Sequence, residues 1–285
     1  MREETVIYQT GPVARLILNR PERLNAQSHR LLYEMDAAFA QAASDPQVRI
    51  VVLSGSGRSF SSGHDIDSPE AVEERRERER DDADRWALGE RYKQLYVDMH
   101  MRWRNLPKPT LAMVHGYCFF GGWMIAAAMD IVYASDDALF VPTYGDYMTT
   151  CWDVGPRKAK ELLFGNRIIT AKEAMEWGFV NRVFPPDKLE AETLSYAARV
   201  AENDAVSLRA IKHTINQSQD MQGFTTSVRS LSPSLWGRQW TYPEVRPESE
   251  RTPTARPAGS PFRSRVQRAM RHFKEDAARN SEGSD

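Results

Sequence analysis

Residues 109–142 restrict the fold more than any other part of the chain. "PTLAMVHGY" is an apolar run of strand length, "GGWMIAAAMD" has the composition of a short buried helix, and "DIVYASDDALFVP" is a second strand-length run. Two buried strands joined through a glycine turn and a helix are the signature of a parallel crossover unit, which predicts an α/β layer structure.

The flanking sequence extends this pattern. "TVIYQTGPVARLILNRP" reads as two strands about a Gly-Pro turn, and "SHRLLYEMDAAFAQAASDP" as an amphipathic helix capped by Ser28. "VRIVVLSGSG" reads as a buried parallel strand whose carboxyl end opens into a loop. The amphipathic stretch "WALGERYKQLYVDMHMRWRNL" should stop at "PKP". Downstream, "GPRKAKELLFGNRIITAKEAMEWGFVNRVFPPDKLEAETLSYAARVAEN" predicts three amphipathic helices, with "TAKEA" a capped start and Gly178 a stop. We expect a core over 1–200 carrying a charged insert at about 68–85, then a helical region over 201–231. A Pro/Ser/Arg-rich linker over 232–263 and a helix with its tail over 264–285 should follow.

Charge and cysteine content exclude several functions. Lys plus Arg total 38 against 39 for Asp plus Glu, a net charge of −1, so no nucleic acid or anionic membrane is expected as partner. The acids and bases of the insert likewise cancel, against an RNA-binding face. Cys118 and Cys151 are the only cysteines, which argues for a reducing compartment. The N-terminus lacks the build of a signal peptide, and no apolar run approaches the ~20 residues of a membrane helix, so a cytoplasmic protein is expected.

Two loops carry the chemical signal. "FSSGHDI" (60–66) and "HGYCFFGG" (115–122) each follow a buried strand and offer backbone N–H groups where a ligand oxygen is stabilised. The bland alternative is that their glycines only make tight turns. "GSGRSF" lacks the third glycine of a dinucleotide fingerprint. No metal cluster is visible.

With "LNRPERLNA" (18–26), "FSSGHDI", "KPTLAMVHGYCFFGGWMIAAAMDIVYASDDALF" (108–140), "KAKELLF" and "ITAKEAMEWGFVNRVFP" in this order, the chain resembles the enoyl-CoA hydratase/isomerase (crotonase) superfamily along nearly its whole length. The resemblance implies a ββα spiral core with a C-terminal helical trimerisation region, and a homotrimer or a dimer of trimers. It implies an acyl-CoA substrate, with coenzyme A entering as part of the thioester and no separate cofactor. It places an oxyanion hole on the amides of Ser62 and Gly121. Phe120 and Trp123, with Phe119, would exclude water around it. Arg23, Leu24, Ala26, His64, Asp65 and Ile66 would lie along the CoA path, and Lys274 would meet phosphates of a neighbouring subunit's CoA. Family hydratases carry two glutamates that hold and deprotonate water. Here Met124 and Tyr144 stand in their places, which argues against simple hydration.

Asp146 and Asp153 are the candidate replacements for the missing acids, with Tyr144, Tyr147, His64 and His115 as polar partners. A carboxylate in an apolar pocket has a raised pKa that suits proton transfer near neutrality. Asp153 is alternatively a helix N-cap before "GPRKAKELL". Isomerisation, C–C cleavage, hydrolysis and hydration with a displaced acid all need the same hole. Phe119, Phe120, Trp123 and Trp152 suggest a bulky or cyclic acyl group. The rival expectation is a catalytically idle CoA-binding or assembly protein.

Overall fold

The computed structural model describes residues 4–66, 68–73, 85–143, 147–236 and 261–282. Strands β1 (Val6–Gln9) and β2 (Val13–Leu18) form an antiparallel hairpin, and helix α1 (His29–Ser44) returns to β3 (Ile50–Gly55). Helix α2 (Arg85–Lys93) passes through a π-helical stretch (Gln94–Asp98) into α3 (Met99–Arg104). The crossover expected from the sequence follows as β4 (Thr110–Val114), β5 (Tyr117–Phe119), α4 (Gly121–Ala127), β6 (Ile131–Ser135) and β7 (Leu139–Val141). Then come α5 (Thr150–Asp153), α6 (Pro156–Gly165), β8 (Ile169–Thr170), α7 (Ala171–Glu176), β9 (Arg182–Phe184) and α8 (Pro186–Ala201). Helices α9 (Ala205–Met221), α10 (Phe224–Trp236) and α11 (Pro261–Glu282) complete the described chain.

The strands form a six-stranded sheet in the order β1-β2-β3-β4-β6-β9, parallel from β2 onward, and a three-stranded sheet in the order β5-β7-β8. Side chains of a strand alternate between faces, so a strand covered on both sides must be apolar throughout. Strand β3 obeys this. Val51 and Leu53 join the larger core with Leu31, Met35 and Phe39 of α1, while Ile50 and Val52 meet Leu189 and Ala197 of α8 on the opposite face.

Local chemistry sets the helix ends. The Ser28 hydroxyl accepts from the Leu31 amide at 3.2 Å, as expected of a cap. Thr170 and Glu173 form a reciprocal capping box on α7, and Gly178, at φ +92°, follows its end. Asp153 does not cap α6; the cap position belongs to Gly155.

Two boundaries differ from expectation. Helix α10 runs to Trp236, past the expected boundary at 231, and α11 begins at Pro261 rather than 264. Most of the charged insert (74–84) and most of the linker (237–260) lie outside the described residues, as do Tyr144 and Asp146. The last helix packs on its own chain: Ala269, Val266, Met270 and Phe273 contact the cluster of Phe119, Phe120, Val141 and Ile168. Among the described residues no helix is long and apolar enough to cross a membrane.

Candidate functional site

The site lies at the carboxyl ends of β3 and β4, where the loops after these parallel strands meet. Two isolated bridges clamp the first loop. Ser61 donates to Tyr117 O at 2.8 Å and accepts from the Phe119 amide at 3.0 Å; Gln27 donates to Gly63 O at 2.8 Å and accepts from the Asp65 amide at 3.0 Å. In the second bridge, Gln27 pairs with the residues on either side of His64. Extended backbone alternates its N–H direction, so this turns the His64 amide away from Gln27. Gly63, at φ +98°, permits the close approach of the second loop. A Cβ there would stand 2.8 Å from Phe119 O and 3.3 Å from the Gly121 nitrogen.

The first helical bond of α4 runs from Met124 N to Phe120 O at 3.1 Å, so the Gly121 amide has no partner within the helix. Phe120 adopts φ 50°, ψ −106°, a strained conformation for a residue with a side chain, and its own amide donates to Val141 O at 2.7 Å. Among the described residues neither His64 N–H nor Gly121 N–H has an acceptor, whereas the Ser62 amide donates to Leu24 O at 2.9 Å. The donor expected from Ser62 is therefore committed inside the protein, and the amide this loop leaves without an acceptor among the described residues is that of His64.

The absence of a side chain at Gly121 has a cause the sequence did not reveal. A Cβ there would strike Gln27 Oε1 and stand 2.8 Å from His64 Cε1 and 2.9 Å from its Nδ1. Glycine makes room for two polar side chains as well as for a ligand.

Arg23, Leu24, Ala26, Ser62, His64, Asp65 and Ile66 line one open cleft of about 290 Å³, together with Glu22 and Arg58. The structure thus brings the expected CoA-path residues together, and adds Arg58. Asp65 is braced rather than free, its Oδ2 lying 2.8 Å from the buried Arg20 guanidinium. Asn25, fully buried, accepts from the Arg20 amide at 2.8 Å and donates to Ser56 O and Ser59 O at 2.9 and 2.8 Å, tying the two cleft walls together.

The aromatic residues expected around Gly121 are used elsewhere. Trp123 stacks on Phe179 with ring centroids 3.7 Å apart, Phe119 and Phe120 pack with α11, and Trp152 donates to Ser227 Oγ at 2.9 Å. These contacts remove the argument for a bulky acyl group from those four rings. Met124 is fully buried in the main core. His115 bonds Gly57 O through Nε2 at 2.9 Å, a backbone role. Lys274 is on α11, without a contact to the cleft among the described residues. The thiols are unpaired, and burial pushes both Cys118 and Cys151 up, which disfavours a thiolate nucleophile.

Asp153 is partly accessible as a residue, but its carboxyl group is enclosed. Oδ2 accepts from Trp123 Nε1 at 2.9 Å and from Thr149 Oγ1 at 2.7 Å. Burial raises its pKa to about 6 against the lowering effect of those two donors. The folded state therefore holds this proton more tightly than the unfolded chain, so the stabilising contribution is present below pH ~4 and lost as pH rises through 6. We expect Asp153→Asn to flatten that fall, and to be no less stable than the parent at pH 7.5, where the ionised group costs about 2–3 kcal/mol. Urea midpoints of both proteins between pH 4.5 and 7.5 check this; a variant less stable throughout would contradict it.

A group of buried polar atoms without partners was not visible in the sequence. Among the described residues, Gln27 Oε1, both ring nitrogens of His64 and of His100, and the Tyr147 hydroxyl lack a hydrogen bond of normal geometry. Such atoms are rare in native interiors unless water or a ligand serves them. The Tyr96 ring stands edge-on to His64 at 4.6 Å, and Tyr147 stacks on His100 at 5.2 Å. Burial drives the His64 ring down to about 4 and His100 well below its usual range, so both are neutral imidazoles at pH 7. Among the described residues no cluster of three or more His, Cys, Asp or Glu is arranged to hold a metal.

Comparison with known proteins adds the following. The sequence profile described as enoyl-CoA hydratase/isomerase matches residues 9–230. The chain is similar to the crystal structure of a probable enoyl-CoA hydratase from Mycobacterium thermoresistibile, at 37% identity and TM-score 0.72 over 80% of this chain and 93% of that one. It is similar to a probable enoyl-CoA hydratase from Mycobacterium smegmatis, at 38% identity and TM-score 0.72 over 79% and 90% of the two chains. An enoyl-CoA hydratase/isomerase from Xanthobacter autotrophicus Py2 is 35% identical, with TM-score 0.72 over 80% and 84%.

Proposed function

The chain belongs to the enoyl-CoA hydratase/isomerase family, and from this premise we propose that it holds the thioester oxygen of an acyl-CoA between the main-chain amides of His64 and Gly121. The observation that carries this reading is that these two amides, where the two loops meet, have no acceptor among the described residues, while the neighbouring Ser62 amide does. Donors fixed in advance stabilise the negative charge that grows on the oxygen as an enolate forms, without reorganising at the moment of reaction.

The absence of a carboxylate at Met124 supports enolate chemistry, such as isomerisation, over addition of a water held by paired acids. Crotonyl-CoA, a short linear 2-enoyl thioester, tests this. It is expected to bind without gaining the mass of a water on the turnover timescale, and rapid hydration would overturn the assignment. A panel of linear, cyclic and aromatic acyl-CoAs followed by mass spectrometry then identifies the acyl group. A catalytically idle CoA-binding protein would bind members of that panel and transform none.

The CoA phosphates are assigned to the cleft containing Arg23 and Arg58, both exposed. Exposed charge pairs contribute about 0.2–1 kcal/mol each and are screened by salt. Replacing both arginines by glutamine should weaken acyl-CoA binding roughly 3–10-fold at low ionic strength. Titration calorimetry should find a much smaller difference at 0.5 M salt.

A further inference from the structure

We propose that the His64 imidazole is the group that takes the proton from the carbon adjacent to the thioester carbonyl. The inference rests on the reading that the His64 and Gly121 amides hold the thioester oxygen, and it gives one residue two separable duties, an amide for the oxygen and a ring for the proton.

Position is the first argument. The ring lies against the Cα of Gly121, with Cε1 and Nδ1 at 2.8 and 2.9 Å from where a Cβ would stand. The reacting carbon is two bonds from the oxygen, so a group beside the oxygen's donors is within reach of it. The ring's chemistry is the second. Both its nitrogens are buried and without hydrogen-bond partners among the described residues, and Tyr96 borders the ring edge-on at 4.6 Å. The neutral ring keeps a lone pair free, and negative charge developing on the nearby oxygen raises its affinity for a proton.

The third argument is the lack of a competitor among the described residues, which do not include Tyr144 and Asp146. Met124 is apolar and fully buried. The Asp153 carboxylate is committed to Trp123 and Thr149, and its charge is felt at Tyr147 and Cys151, whereas burial alone accounts for the His64 shift.

In the step itself the α-carbon–hydrogen bond breaks and the proton bonds to a free ring nitrogen. The electron pair forms the enolate double bond, and the carbonyl pair moves onto the oxygen held by the two amides. The resulting imidazolium and enolate are opposite charges held close together, which favours the pair. Return of a proton, or of deuterium from solvent, to carbon closes the cycle.

The test is deuterium uptake at the α-carbon of two saturated probes, hexanoyl-CoA and 3-phenylpropanoyl-CoA, in D₂O, followed by mass spectrometry. His64→Gln keeps the amide and removes the base. Its exchange rate should fall at least ~100-fold, with the dissociation constant of the probe within about 3-fold of the parent. His64→Ala should behave alike and regain part of the rate when imidazole is added, a rescue that a purely structural role would not give. Exchange within about 3-fold of the parent in His64→Gln, while Gly121→Ala abolishes it, would overturn the proposal and leave the oxyanion reading standing. Binding of both probes by the parent without exchange would overturn the proposal alone, and failure of the parent to bind either probe would overturn both. Circular dichroism establishes that the variants fold; should His64→Gln not fold, His64→Ala with and without imidazole decides.

Discussion

Gly121→Ala is expected to lower kcat by roughly 10²–10³-fold. The added methyl group would meet Gln27 Oε1 and the His64 ring, with His64 Cε1 only 2.8 Å away, so the backbone of α4 or both side chains must shift. Any shift that draws the Gly121 nitrogen back misaims one of two donors, and losing one donor of such a hole typically costs about 3–4 kcal/mol of barrier. Overpacking adds about 1–3 kcal/mol of lost stability, so a thermal unfolding curve must accompany the kinetics. Ser62→Ala is the control. The Ser62 hydroxyl makes one long contact to Arg23 O at 3.4 Å and its amide stays bound to Leu24 O, so activity should stay within about 2-fold. A Gly121→Ala enzyme of parental rate, or an inactive Ser62→Ala enzyme, would show that the oxygen is held elsewhere.

The second large effect is on stability. Trp123→Ala should destabilise the fold by about 3–5 kcal/mol, the range for removing a buried aromatic side chain. Trp123 is 1% exposed, lies flat on Phe179 at 4°, and gives its N–H to Asp153. Trp123→Phe separates the contributions. It keeps much of the stacking and loses the donor, so its cost should fall to about 1–3 kcal/mol. Losing one of its two donors should also raise the Asp153 pKa further, moving the pH-dependent fall in stability upward. Chemical denaturation at pH 5 and pH 7.5 measures both terms. A Trp123→Phe protein with the parent's pH profile would mean that the indole N–H does not tune that carboxyl group.

What the sequence revealed and what it concealed divide along sequence separation. The crossover from β4 to β6, the Ser28 cap and the Thr170–Glu173 box each depend on residues a few positions apart, and the sequence predicts all three. The two loops of the site were recognisable because both glycine turns follow apolar runs and fall in order within the family's pattern. Which amide the first loop leaves free was not recognisable, because it depends on Gln27 pairing with residues 36 to 38 positions away. Asp153 reads from its neighbours as a helix cap; its partner is an indole 30 positions upstream. The aromatic residues around Gly121 invited a pocket-lining role that packing against Phe179 and α11 takes up instead. His100, a lone histidine among apolar residues, has the composition of an ordinary core position.

The π-helical stretch has an engineering consequence. Residues 94–98 carry a helix with a wider turn than the α-helices on either side. Deleting one residue there would restore regular winding, and a local stability score would favour the shorter helix. It would also rotate everything on one side of the cut by ~100° relative to the other, so that Tyr96 and His100 no longer faced His64 and Tyr147. The length of this segment is set by where its rings must aim, and a designer who repaired the irregularity would obtain a tidier scaffold with its aromatic wall turned away.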